Sequence, residues 1–249
     1  MNIAIIGYGK MGHEIEKIAK VKGIYVKSII DPTSKDAGYS SITSESMQDV
    51  DACIDFTSPN AVIGNIMEIA KFKKNIVVGT TGWQNDYKKA KGIVEQSGIG
   101  FIYSPNFSIG VNVFLRIIES AARMIDKIDD YDAYGYELHH NKKIDSPSGT
   151  AKAIGEMLIK NIRRKDTLLF DRIDRKIMPN ELHFASVRAG SVPGTHVVGF
   201  DSSADTIELK HTARNREGFA LGAVMAAEWI QNKKGFFEIN DMMNEIIGG

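Results

Sequence analysis

The sequence predicts an α/β protein: a Rossmann-type domain built on a parallel sheet, joined to a second domain of α+β type. Three observations carry that expectation. Short apolar runs alternate with amphipathic stretches through the first hundred residues, and a glycine-rich turn follows the first run. Beyond residue 180, strand-like runs succeed one another with no helical pattern between them.

The elements read off in order. "NIAII" (Asn2–Ile6) is a short apolar run ending at glycines, hence a buried strand. Residues 11–23 place Ile15, Ile18, Ala19 and Val21 at helical spacing and stop at Gly23. "IYVKSIID" is a second strand ending at Asp31, and "DACIDF" a third, leading into a helix through Ala61, Ile66, Ile69 and Ala70. "NIVVG" is the fourth strand; after a helix around residues 88–96, "IGFIYSP" is the fifth. The pattern then changes. Residues 110–126 form a helix expected to bury Val113, Ile117, Ala121 and Met124. "YDAYGYELHH", the helix "PSGTAKAIGEMLIKNI", three strand-like runs between residues 181 and 214, and a helix rich in small residues over 218–232 follow; a shorter helix ends the chain.

Composition narrows the function. The 249 residues carry 31 acidic and 31 basic side chains, so no bulk field favours nucleic acid or a membrane surface. No apolar run is long enough to span a bilayer, and the N-terminus lacks the basic and small-residue features of a signal peptide. Cys53 is the only cysteine and lies in an apolar run, so an inert buried thiol is expected. A soluble cytoplasmic protein is the expectation.

"GYGKMG" sets Gly7, Gly9 and Gly12 in a G-x-G-x-x-G between the first strand and the first helix. In that context glycines serve a tight turn, close approach of backbone to a pyrophosphate, and helix–strand packing. The helix N-terminus offers unpaired N–H groups to the phosphates. Asp31, at the end of the second strand, is placed to bond ribose hydroxyls, which favours NADH; Lys35 opposes that preference by offering a charge to a 2′-phosphate. Asp31 before Pro32 is also read as a plain turn initiator. "GTTGW" and "SPNFSIGVN" stand after the fourth and fifth strands, at the carboxyl edge where a dinucleotide lies.

Two adjacent histidines, His139 and His140, close an apparent strand, with Lys142 and Lys143 just beyond. Adjacent strand residues face opposite sides, which is poor spacing for a shared metal, and no H-x-x-x-H occurs; no metal is expected. Ser146 reads as an N-cap and Pro147 as the first helical residue, putting Ser148, Gly149 and Thr150 in a first turn that favours an anion. Gly149 costs about 1 kcal/mol against alanine inside a helix, which makes sense where a ligand touches backbone; an ordinary capped helix is the alternative. A proton donor beside an anion site is what reduction of a C=C or C=N bond needs.

The stretch "ELHHNKKIDSPSGTA" resembles the pattern E-x-H-H-x-x-K-x-D-x-P-S-G-T-A of the bacterial dihydrodipicolinate (4-hydroxy-tetrahydrodipicolinate) reductases. "GYGKMG", "GTTGW", "NFSIGVN", "RAGSVPGTHVV" and "ARNREGFALGAVMAAEWI" match further motifs of that family in order, along nearly the whole chain. The resemblance implies a dinucleotide-binding domain over residues 1–106, completed by 215–249. It implies a substrate-binding and oligomerisation domain over 107–214. His139 and Lys143 would handle the proton, His140 would contact the substrate, and Ser148, Gly149 and Thr150 would hold one of its carboxylates. Gly7, Tyr8, Gly9, Lys10, Met11, Gly12, Asp31, Gly79, Thr80, Thr81, Ser104, Pro105, Asn106 and Phe107 would line NADH or NADPH. The glycine turn here is one residue shorter than the G-x-x-G-x-x-G of many relatives. A homotetramer and a place in lysine and diaminopimelate biosynthesis are implied as well. Two rivals stand beside this reading: another two-domain dehydrogenase, and a non-catalytic dinucleotide sensor of the same fold.

Overall fold

The computed structural model describes residues 1–248. The chain divides into two compact units, Met1–Ile109 with Arg216 onward, and Gly110–Asn215.

The first unit opens with β1 (Asn2–Ile6), α1 (Lys10–Val21), β2 (Tyr25–Ile30), β3 (Ala52–Asp55), α2 (Pro59–Lys71), β4 (Asn75–Val78), α3 (Tyr87–Ser97) and β5 (Gly100–Tyr103). The second contains α4 (Ile109–Ile125), β6 (Asp132–His139), α5 (Gly149–Asn161), β7 (Thr167–Leu169), β8 (Glu181–Arg188), β9 (Thr195–Asp201) and β10 (Thr206–Thr212). The chain then returns to the first unit with α6 (Glu217–Trp229), β11 (Gly235–Glu238) and α7 (Ile239–Ile247).

The first unit's six strands are all parallel and run in the order β11-β5-β4-β3-β1-β2. Apolar runs form the inner strands because helices cover both faces, whereas edge strand β2 leaves Tyr25 and Lys27 exposed. Ala4, Ile6, Cys53, Ile76 and Val78 meet Val62, Ile66 and Ile69 of α2 and Ala90 and Val94 of α3 on one face. α1 and α6 pack together on the other. The chain leaves β1 toward β2 on one side and β3 on the other, and that reversal opens a crevice at the strands' carboxyl ends. β11 is the sixth strand; its apolar stretch is too short for periodicity to show, and the sequence reading missed it. Val21 is exposed, because it lies about 120° around α1 from Ile15.

The second unit's sheet runs β10-β9-β6-β8-β7, antiparallel from β10 to β6 and parallel from β6 to β7. α4 and α5 cover one face. Phe114, Ile118, Ala122 and Ile125, with Ala151, Ile154, Leu158 and Ile162, pack on Ala133, Leu182, Phe184, Val198 and Phe200. The expected inner face of α4 is therefore wrong: Ile117 and Met124 are exposed. Two apolar stripes satisfy the helical period there, and the one carrying Phe114 and Ile118 turned inward. Gly135 makes room on β6 for the Phe184 ring, which a Cβ would meet at 2.4 Å.

Candidate active site

The glycine turn of the first unit starts where β1 ends. Gly7 has φ 87°, and a Cβ there would lie 2.3 Å from the Phe56 carbonyl oxygen. A Cβ on Gly12 would lie 2.4 Å from the Gly7 carbonyl oxygen, so the turn and the helix–strand contact both require glycine. A Cβ on Gly9 would meet nothing within 4 Å. Gly9 is also the N-cap of α1, with no side-chain cap. That open, uncapped helix start fits a pyrophosphate.

The neighbouring loops are tied together by two carboxylates. Asp31 Oδ2 accepts the Tyr8 amide at 2.7 Å, while Oδ1 accepts the Thr33 amide and hydroxyl at 2.8 Å each and the Ser34 amide at 3.0 Å. Burial works to raise the Asp31 pKa, but those donors outweigh it and bring it down to about 2. Asp55, fully buried at the end of β3, accepts from Thr57, Thr80 and Asn65. Thr80 Oγ1 in turn accepts the Thr57 amide at 2.8 Å, joining the loops after β3 and β4. Gly79 leaves space for the Phe56 ring, 2.1 Å from where its Cβ would be. After β5, Ser104 Oγ bonds the Asn106 amide and carbonyl in a local turn. The Ser104 and Phe107 side chains are buried, whereas Lys10, Thr81 and Pro105 are exposed. The Tyr8 hydroxyl donates to Glu16, so its ring lies along α1.

In the second unit a polar cluster lies on the helix-covered face of the sheet. Along β6 the inward residues are Ala133, Gly135, Glu137 and His139. Glu137 pairs in register with Ser186 on β8 and His196 on β9, and His139 with Arg188. These strands thus assemble a polar cluster around one fully buried carboxylate. Glu137 Oε1 accepts the Ser148 amide at 2.9 Å, Ser186 Oγ at 2.9 Å and Arg188 Nη2 at 2.7 Å. Oε2 lies 3.2 Å from His139 Nδ1 and 3.3 Å from His196 Nε2, at ion-pair distance but off the line of an aligned hydrogen bond. Burial pushes the Glu137 pKa up, yet the contacts from His196, Ser148 and Arg188 hold it well below the usual carboxylate range. His139, 7% exposed, has its pKa lowered to about 4, first by burial; the Glu137 charge opposes this and nearby Lys143 and Arg188 add to it. His139 is therefore neutral near pH 7.

α5 begins at Gly149, with Ser148 as its N-cap; Ser148 Oγ accepts the Ala151 amide at 3.1 Å. This corrects the expected start at Ser146. Ser148 has a hydroxyl within reach of the third helical amide, whereas Ser146 lies outside the turn. A Cβ on Gly149 would meet nothing within 4 Å, so the helix start is open to a ligand. The apolar face expected from Ala151, Ile154, Leu158 and Ile162 is fully buried. Lys143 lies in the turn after β6 and donates to Asp145 Oδ1 at 2.7 Å. His140 is half-buried, and its Nδ1 is buried without a hydrogen-bond partner.

The fold thus gathers His139, Lys143 and the Ser148–Thr150 helix start into one unit, and the glycine turn, Asp31, Gly79–Thr81 and 104–107 along one sheet edge of the other. Sequence reasoning missed Glu137, Arg188 and His196. Glu137 had a signal, since residues i and i+2 of a strand share a face. Arg188 and His196 join only through strand register, which no local pattern reveals. Donor atoms of Glu137, His139 and His196 lie within 4.8 Å of one another, close enough to hold a cation. The Arg188 guanidinium on the same carboxylate already supplies positive charge there. Among the described residues no helix is long and apolar enough to cross a membrane.

Family models described as "Dihydrodipicolinate reductase, N-terminus" and "Dihydrodipicolinate reductase, C-terminus" match residues 1–107 and 110–243. A 4-hydroxy-tetrahydrodipicolinate reductase from Christiangramia forsetii is 38% identical over 246 residues, covering 99% of each chain. One from Archaeoglobus fulgidus is 36% identical over 260 residues, covering 98% of this chain and all of its own. In fold, the chain is similar to a dipicolinate-bound dihydrodipicolinate reductase from Paenisporosarcina, with a TM-score of 0.78 at 22% identity, covering 97% of this chain and 99% of that one.

Proposed function

The chain belongs to the dihydrodipicolinate reductase family, and from that premise we propose how its residues divide the work of the reaction. It is a pyridine-nucleotide-dependent oxidoreductase of lysine and diaminopimelate biosynthesis that reduces 4-hydroxy-tetrahydrodipicolinate to tetrahydrodipicolinate. The dihydronicotinamide supplies a hydride when bound; one proton is taken up and one water is lost for each tetrahydrodipicolinate formed. Our reading assigns pyrophosphate to the Gly7–Gly12 turn and the α1 start, with the open space at Gly9 supporting it. Thr80, Thr81 and residues 104–107 line the nicotinamide half. Asp31 takes the ribose hydroxyls and tips the preference toward NADH, against Lys35.

For the substrate, the amides of Gly149 and Thr150 receive one carboxylate, with the buried Ser148 cap setting the helix start that presents them, and His140 contacts the ring. The single observation carrying this is the uncrowded helix start at Gly149, whose N-cap amide shares the Glu137 carboxylate with His139. Lys143 delivers the proton. His139, neutral and buried, supports that transfer by accepting rather than by donating as an imidazolium. The same reading takes residues 107–214 as the substrate-binding and oligomerisation domain, 1–106 with 215–249 as the dinucleotide domain, and the enzyme as a cytoplasmic homotetramer. The exposed residues of edge strand β10 support the assembly.

The test is a coupled assay in which substrate forms in situ from pyruvate and aspartate semialdehyde. Dihydronicotinamide absorbance should fall with either cofactor, faster with NADH. Equal or greater efficiency with NADPH would overturn the assigned preference, and full turnover in a Lys143→Ala variant would overturn the proton donor.

A further inference from the structure

We propose that Glu137 is a positioning residue that sets the tautomer and direction of His139 and, through the Ser148 amide, fixes the start of α5. The proposal rests on the reading of His139, Lys143 and that helix start given above. It adds a residue that neither the proton step nor the carboxylate site yet includes.

A carboxylate with no exposed surface is costly unless donors surround it. The preceding inward positions on β6, Ala133 and Gly135, are apolar, so the strand itself does not call for an acid at the next one. What Glu137 gains there is a set of partners from four elements: Ser148 at the α5 start, Ser186 and Arg188 on β8, His196 on β9, and His139 on its own strand. An ionised carboxylate only accepts hydrogen bonds. At 3.2 Å its charge repels a lone pair on His139 Nδ1 and attracts an N–H dipole there, even off the line of an aligned hydrogen bond, which assigns Nδ1–H to His139 and leaves Nε2 with the lone pair. That outer nitrogen lies on the side of Gly194, where a Cβ would come within 3.0 Å of it.

The same carboxylate links the two ends of the segment from Glu137 to Thr150. Oε1 holds the amide of the α5 N-cap, and Oε2 faces the imidazole. Arg188 Nη2, 2.7 Å from Oε1, is also 2.7 Å from the Asp145 carbonyl oxygen, so it braces the turn that carries Lys143. One buried charge thus aligns the base, the lysine turn and the anion site.

The experiment is long-range proton–nitrogen NMR on isotope-labelled full-length enzyme, with His139→Gln and His196→Gln used for assignment, alongside steady-state kinetics. Wild type should show neutral His139 with its hydrogen on Nδ1. In Glu137→Gln the amide NH2 faces the ring, so the hydrogen should move to Nε2. Its kcat should fall about 10²-fold while the cofactor KM stays within about twofold. Glu137→Asp retains the charge, and should retain the Nδ1–H form and recover part of kcat. Hydrogen on Nε2 in wild type overturns the proposal even if a variant fails to fold; an unchanged tautomer or unchanged kcat in folded Glu137→Gln does the same. Full turnover in His139→Gln would instead overturn the role given to His139, with the tautomer measurement still deciding what Glu137 does to its ring.

Discussion

The Lys143 ammonium lies 2.7 Å from one carboxylate oxygen of Asp145 and 3.0 Å from the other, two residues along the same turn. Asp145 is more than half exposed, and a pair of that kind contributes little to folding. Asp145 therefore holds the lysine in place without anchoring the fold. Lys143→Ala should leave the thermal midpoint within a degree or two and cofactor affinity unchanged, while kcat falls by about 10²- to 10⁴-fold. Melting curves, cofactor titration and turnover on one preparation check all three. A midpoint that dropped along with kcat would mean the loss was structural.

His139 makes a pH prediction whose sign follows from burial. Its pKa is about 4 in the folded chain against an ordinary 6.5, so between those values the unfolded chain binds a proton that the folded chain does not. Stability from this group is thus full above pH 6.5, falls as pH drops toward 4, and levels off below. Wild type should lose on the order of 1–3 kcal/mol relative to His139→Gln across that window. Denaturant titrations of both proteins at several pH values measure the difference. A difference that stayed flat would place His139 in solvent.

Asp31 is engaged with Tyr8, Thr33 and Ser34 even before any ligand is considered. Asn at this position keeps an acceptor for the loop but removes the charge that repels a 2′-phosphate. Asp31→Asn should lower the ratio of kcat/KM for NADH over NADPH by about tenfold, or about 1.4 kcal/mol of discrimination. Lys35→Ala should weaken NADPH alone. If both variants left the ratio in place, preference would be set elsewhere in the site.

What could be read from the sequence divides along physical lines. The parallel sheet was legible because its first five strands are short, mostly apolar runs closed by glycine or a turn, with only the edge strand β2 interrupted, by Lys27 and Ser28. Helix faces were legible where only one apolar stripe exists, as on α5, and misread on α4, where Val113–Met124 and Phe114–Ile125 both satisfy the period. His139, Lys143 and the Ser148–Thr150 start were visible because they lie within one short segment. The partners of Glu137 were not. Arg188 and His196 reach it across 51 and 59 residues of chain, through register alone.

The glycines of the phosphate turn separate ligand contact from packing, and single alanines should show it. Gly12→Ala puts a methyl 2.4 Å from the Gly7 carbonyl, a backbone atom that cannot swing aside. Gly7 and Gly79 are equally confined, by the Phe56 carbonyl and the Phe56 ring. Those variants should unfold at lower temperature, with overpacking costs of about 1–3 kcal/mol or more. At Gly9 the surroundings are empty, and φ of −86° suits any residue. Gly9→Ala should melt like wild type, or slightly higher, because alanine loses less backbone entropy on folding. Its methyl would instead stand where a phosphate meets the α1 start, raising the cofactor dissociation constant by about tenfold or more. Calorimetric titration with NADH beside a melting curve separates the two classes. Tight cofactor binding by Gly9→Ala would move the pyrophosphate away from this turn.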